Sequence, residues 1–310
     1  MSDSRFQMEL AGATRSRRQV LALMLGAPTL ATAFQNGAPL RFAISETVLG
    51  EVNMNDVRPA MQFWIERMNR ELSVVIDPNV VNTTQEIQDR VRKGQIDAVA
   101  LSINEYRAIA EFLDSSQIIT SAGVAGQDQY VILAHRNSGI RQLGDLKGRR
   151  LSMYRNPKMC VASVWLYTIL EEGRYSPAEQ FFASMASDVK LARVVLPVFF
   201  GQADACLTTR RGFETMCELN PQVARDLKEV VSSPLIVVSF YVFRKNYQSP
   251  NREKLTRSLL SMRASPAGGQ LAALFQFEDL AIRDASCLAS ALAVLEAADR
   301  ARARRGGRKG

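Results

Sequence analysis

The 310-residue chain holds a single histidine, four cysteines and two tryptophans. One imidazole, His135, leaves a histidine-built metal centre with nothing to assemble from, and no nucleophile with a supporting acid can be placed beside it. Cys160, Cys206, Cys217 and Cys287 match no zinc spacing. Cys206 and Cys217 are near enough in sequence to bridge, and buried free thiols fit equally well. No catalytic residue, metal or cofactor is therefore expected. Past the N-terminus, no stretch reaches the roughly 18 apolar residues that a membrane span requires. Charge is scarce in the body too. The chain carries a formal +8, but residues 1–33 hold a net +2 and residues 300–310 a net +6. Residues 34–299 are thus close to neutral, which makes a poor groove for a phosphate backbone and argues against nucleic acid as a partner. The basic end, 300–310, reads as a solvated, disordered tail.

What is present starts with an address. Ser16-Arg17-Arg18-Gln19-Val20-Leu21 fits the twin-arginine pattern, a short apolar stretch follows, and Ala31-Thr32-Ala33 is a small-x-small cleavage site. Residues 1–33 are expected to be a leader, with the mature chain starting near Phe34 and working in the periplasm.

The body repeats itself. "GQIDAVALS" at 94–102 returns as "GQADACLTT" at 201–209. Ahead of the first copy come an apolar strand at 40–45 and a helix with Val57, Met61, Trp64, Ile65, Met68 and Leu72 on one face and Asn55 as its cap. A strand at 72–77 follows, then a helix opened by Thr83 and Glu86 as a capping box and closed before Gly94. Ahead of the second copy come a strand at 149–154, a helix over 160–173, another capped at Ser176 to Glu179, and a mixed run at 189–197. Strands alternating with helices predict parallel sheets with right-handed crossovers. The fold class expected is α/β: two similar α/β lobes joined by two crossing strands, for which residues 129–135 and 234–245 are the candidates. Helices near 251–262, 267–277 and 285–303 close the chain. The expected division is 34–128 with 241–299 for one lobe and 129–240 for the other. Asp97 and Asp204, just before their strands, read as turn or cap residues.

The order "RKGQIDAVALSINEY … QYVILAHRNSGIRQLGDLKGRRLSMY … FFGQADACLTT … SSPLIVVSFYVFRKNY … ASPAGGQLAALF" resembles the phosphate/phosphonate-type periplasmic substrate-binding proteins of ABC transporters, over about residues 40–280. The resemblance implies a type II periplasmic binding protein: a monomer that takes a small anionic or polar ligand between its lobes and presents it to a membrane permease. A ligand-loaded input to a membrane sensor kinase would look alike, and cofactor-precursor enzymes use the same fold. Where the family carries a Ser/Thr-rich turn, this chain has "RNPKMCVASV", with Met159 and Cys160 in place of hydroxyls and Ser163 a turn further on. A helix N-terminus there still offers N–H groups to an anion, and Arg155 and Lys158 add charge.

In parallel sheets, ligands bind beyond the carboxyl ends of strands. That rule selects Ser45, Glu46, Ser102, Asn104, Tyr106, Arg155, Asn156, Cys160, Ser163 and Thr208 as candidate ligand-binding residues. Several have a second reading: Ser102 as a helix cap, Tyr106 as a packing ring rather than the family's cleft aromatic, and Glu46 as a solvated loop acid.

Overall fold

A computed structural model describes residues 40–49, 54–72, 81–122, 127–274 and 279–306. All the described residues fall in the unit Pro39–Gly310. The leader expected at 1–33 lies outside the described residues, and so does the expected strand at 72–77 apart from Leu72, which ends a helix.

Strand β1 (Phe42–Ser45) is buried along its length, as befits a strand covered on both faces. Helices α1 (Glu46–Leu49) and α2 (Met54–Leu72) follow. Met61, Trp64, Ile65 and Met68 of α2 are buried at helical spacing against Phe42 and Ile44. Asn55 falls inside the first turn of α2 rather than capping it. Strand β2 (Val81–Asn82) leads to α3 (Thr84–Arg92), whose Thr83–Glu86 capping box is formed as expected. Then come β3 (Ala98–Ser102), α4 (Ile103–Ile109) and β4 (Leu113–Ser121).

The second series runs β5 (Tyr130–His135), β6 (Arg150–Tyr154), α5 (Ala162–Glu172), α6 (Ala178–Phe181), β7 (Ser184–Asp188), α7 (Leu191–Phe199), β8 (Ala205–Thr209), α8 (Arg210–Leu219), α9 (Pro221–Asp226) and β9 (Leu227–Ser232). The chain ends through β10 (Ser239–Arg244), α10 (Pro250–Leu260), α11 (Pro266–Leu274), β11 (Leu280–Arg283) and α12 (Ala289–Gly306). Helix α12 runs to Gly306, well into the stretch expected to be a disordered tail. Alternating Ala and Arg are strong helix formers, which extends it.

Two sheets result, in the orders β11-β4-β10-β3-β1-β2 and β7-β6-β8-β5-β9. Each contains a parallel trio, β2-β1-β3 or β7-β6-β8, flanked by an antiparallel strand, β10 or β5. The strand in that antiparallel slot is the one that follows each passage between sheets. The passages lie at the N-terminal ends of the two runs expected to cross, and Asp128 and Ile236 pair them through backbone hydrogen bonds of 3.0 and 2.9 Å.

The Gly-Gln-x-Asp-Ala echo has a tertiary purpose. Gly94 (φ +64°) and Gly201 (φ +70°) turn the chain after α3 and α7 in the left-handed region that favours glycine. Asp97 and Asp204 are not turn or cap residues. The Asp97 carboxylate accepts from the Arg41 N–H at 3.1 Å, from the Arg41 guanidinium at 2.8 and 2.7 Å and from Arg244 at 3.1 Å. Asp204 accepts from the Arg150 N–H at 2.8 Å and its guanidinium at 3.0 and 3.3 Å. In each lobe the acid staples the start of the third strand to the start of the first.

Helix α11 packs on the turn Met262–Ala264 through Gly268, where an added Cβ would stand 2.0 Å from the Met262 carbonyl oxygen. Backbone cannot swing aside as a side chain can, so Gly268→Ala is expected to lose about 2 kcal/mol by overpacking. A urea midpoint matching wild type would show that the turn yields freely.

Candidate functional site

The carboxyl ends of the parallel trios look different in the two lobes. In the first, one acid gathers the hydroxyls. Glu105, 4% exposed, lies in the first turn of α4. Its Oε1 accepts from Ser45 Oγ at 2.5 Å and Thr84 Oγ1 at 2.6 Å. Its Oε2 accepts from Thr47 Oγ1 at 2.7 Å, Ser102 Oγ at 2.8 Å and the Ser102 N–H at 2.9 Å. Burial opposes the charge of Glu105, but these donors outweigh it and hold the carboxyl below the usual carboxylate range. Ser45 and Ser102 thus have their hydroxyls on an internal carboxylate. Glu46 is exposed on α1.

Tyr106 is 6% exposed and packs edge to face on Phe240 at 5.2 Å between centroids. Burial raises its phenol, against the hydrogen bond with Ser115. The ring is part of the core. Asn104 is exposed, and its Nδ2 donates to the Cys160 carbonyl at 3.3 Å, linking α4 to the turn before α5.

In the second lobe the strand ends border two cavities. The larger, about 560 Å³, is walled by Tyr154 at the end of β6, Asn156 just after it, Lys158 in the turn Pro157–Met159, and Thr209, Arg211 and Gly212 at the head of α8. Its far side is Arg263, Gly269, Ala272 and Ala273. Those four belong to the segment whose Met262 and Leu271 are buried with the first lobe's core. The cavity therefore lies between residues carried by both lobes. Lys158, Arg211 and Arg263 bring three cations to it from three elements, against one acid, Asp128. Asp128 accepts from the Gln129 N–H at 2.8 Å and the Arg211 N–H at 3.3 Å, so it sits at the start of α8.

A smaller cavity of about 370 Å³ shares Tyr154 and Asn156 with the first. It brings together four of the expected residues, Arg155, Asn156, Cys160 and Ser163. The shared rim is held in place: Asn156 Nδ2 donates to the Tyr154 hydroxyl at 3.1 Å, and Asn156 Oδ1 accepts from the Lys158 N–H at 2.9 Å. The Tyr130 hydroxyl donates to the Lys158 carbonyl at 2.9 Å and accepts from the Val161 N–H at 3.2 Å, fixing the turn into α5.

Thr208 is fully buried beneath α8, with its hydroxyl lacking a partner among the described residues. Thr209, one residue on, lines the cavity and caps α8 by accepting from the Gly212 N–H at 3.0 Å. Sequence reasoning missed Asp128, Arg211 and Arg263. Arg211 directly follows a selected strand end, so the same rule reaches it one step further. Nothing local marks Arg263, which the chain returns to the cavity from another lobe.

The remaining reactive groups sit elsewhere. Burial pushes the Cys160 and Cys206 thiols up to about 12, keeping both protonated at neutral pH. All four cysteines are free thiols. His135 Nδ1 accepts from the Asn137 N–H at 3.1 Å and caps a 3-10 turn. Among the described residues, no helix is long and apolar enough to cross a membrane and no three acid, His or Cys side chains could hold a metal ion.

Two α/β lobes, each a parallel trio with an antiparallel neighbour, and two passages between them make the fold of the type II periplasmic binding proteins. XAC2383 of Xanthomonas citri, solved bound to ATP, is similar with a TM-score of 0.58 at 14% identity, over 86% of this chain and 98% of that one. A binding protein component of an ABC phosphonate transporter from Pseudomonas aeruginosa gives 0.50 at 15%, over 88% and 100%. PhnD1 from Prochlorococcus marinus, solved with methylphosphonate, gives 0.50 at 13%, over 80% and 93%. No curated protein matches the chain. The chain belongs to the family described as ABC transporter, phosphonate, periplasmic substrate-binding protein, which matches residues 48–286.

Proposed function

We propose that this protein captures a small phosphonate- or phosphate-like anion in the cavity between its lobes and delivers it, as an exported monomer, to an ABC transporter permease. The observation that carries the reading is the set of three cations, Lys158, Arg211 and Arg263, converging from both lobes on one cavity. An anion there meets charge-assisted donors in a partly desolvated space, where each is stronger than in water. Asn156 and Thr209 add neutral donors at the same strand ends. Arg263 comes from the first lobe and Lys158 and Arg211 from the second, so an anion holding all three draws the lobes together. Methylphosphonate in PhnD1 and ATP in XAC2383 are anions of this chemistry. The twin-arginine leader is the proposed export address.

Ser45, Ser102 and Tyr106 are, on this reading, supports of the first lobe, and the anion is gripped by Asn156, Lys158, Thr209, Arg211 and Arg263. Thermal unfolding of the mature protein with inorganic phosphate, methylphosphonate and methanesulfonate checks this. Ligand at about a hundredfold over its dissociation constant stabilises the native state by roughly 2.7 kcal/mol. Arg263→Glu, at an exposed position, is expected to weaken anion affinity at least tenfold. No shift with any anion, or wild-type affinity in Arg263→Glu, sinks the proposal.

A further inference from the structure

The smaller cavity differs in kind from the cationic one. Three methionines line it: Met153 on β6, Met159 in the turn before α5 and Met185 on β7. Ala162 and Ala186 complete an apolar wall. The register Leu151↔Met185 and Met153↔Ser187 puts Met153 and Met185 on one face of the second sheet. Met185 lies on an edge strand and is 38% exposed, a large apolar side chain left beside open space. Methionine, unbranched and polarizable, moulds to guests of varied shape. Tyr154 and Asn156 form the rim of both cavities, so a molecule held by the cations reaches the methionines by crossing that rim.

We infer that the methionine-lined cavity is a subsite for an apolar organic substituent on the captured anion. The ligand class is an organophosphonate, or a similar organic anion, carrying an alkyl or aryl group larger than methyl. This rests on the anion-capture reading above and adds the identity of the group attached to the head. The head occupies the Lys158–Arg211–Arg263 cavity and the substituent lies over Tyr154 against Met153, Met159 and Met185. Arg155 lines the same cavity, where the apolar stem of a long cationic side chain can flank the substituent.

The test is calorimetry of the mature protein with inorganic phosphate and the methyl, ethyl, propyl, butyl and phenyl phosphonates. Affinity is expected to climb about fourfold per added methylene until the cavity is full. Met185→Ser lowers that slope, and Ser187→Phe, which fills the cavity from an exposed edge position paired with Met153 on the methionine face, abolishes it. Both sites are exposed on β7, so the variants fold. Phosphonates that bind with a flat or falling slope overturn the subsite and leave anion capture standing. A slope unchanged in both variants also overturns it, since the chain then lies elsewhere. Alkyl sulfonates and carboxylates of the same lengths separate the two readings. A slope in those series with no phosphonate bound keeps the subsite and overturns the phosphonate head. No binding in any series overturns both.

Discussion

Asp97→Ala is expected to destabilise the first lobe strongly. Asp97 is 3% exposed, and its carboxylate is the shared acceptor of Arg41 and Arg244. Removing it is expected to cost about 3 kcal/mol, because four charge-assisted hydrogen bonds are lost from a buried acceptor while Arg244, with a side chain only 27% exposed, stays behind. The twin position is the control. Asp204 makes the same bonds to Arg150, but the side chains of that pair are 25% and 50% exposed. Water solvates whatever is left, so Asp204→Ala is expected to lose only a small part of what Asp97→Ala loses. Arg244 explains the asymmetry further, since Asp204 has a single arginine against two for Asp97. Urea denaturation of both variants decides it. Equal losses would mean that burial does not set the worth of the staple.

Glu105→Ala is expected to cost about 3 kcal/mol, by leaving the buried Ser45 and Ser102 hydroxyls, the Ser102 N–H and the hydroxyls of Thr47 and Thr84 without their shared acceptor. The milder Glu105→Gln reports on charge. The folded carboxyl of Glu105 is held below its unfolded value, near 4.3 for a free glutamate. Its contribution to stability is therefore complete above that value and is lost as pH falls through the lower folded one. Wild type is expected to lose stability more steeply than Glu105→Gln between about pH 5 and pH 3. An acid limb remains in the variant, because arginine bonding also holds Asp97 and Asp204 low against their burial. Parallel pH profiles for wild type and Glu105→Gln would show that Glu105 titrates alike folded and unfolded, and that its donors do not favour the charged form. Affinity for phosphate is expected to change little beside stability if the hydroxyls serve the first lobe's framework.

The elements that could be read directly are those with strong local signals. The Thr83–Glu86 box, the apolar stripe of α2 and the two Asp-Ala strands each announce themselves within a few residues. Strands β4, β9 and β11 had no such signal. They carry "LDSSQIITS", "LKEVVS" and "LAIR" with most of their positions at least partly exposed, and two of the three are sheet edges. A strand that pairs on one side only needs little apolar sequence, so its periodicity is weak. Among the expected residues, Arg155, Asn156, Cys160 and Ser163 fall together on one cavity because the chain between β6 and the first turn of α5 delivers all four. Tyr106 was ambiguous because an aromatic near a strand end serves a cleft or a core equally well, and Phe240, which claims it, lies far along the chain.

By itself the sequence determined the duplicated α/β plan, the strand ends after which polar side chains gather and the near-neutral charge of residues 34–299. Periodicity, capping and charge are local quantities, and a repeat can be seen without knowing where its copies sit. Tertiary structure alone decided what each polar group does. Ser45, Thr47, Thr84 and Ser102 turn inward to Glu105, Asp97 and Asp204 reach arginines more than fifty positions away, and Arg263 crosses to the second lobe's cavity. A hydrogen bond is made by whichever donor the fold brings within about 3 Å, and proximity in space is not a property of neighbouring letters.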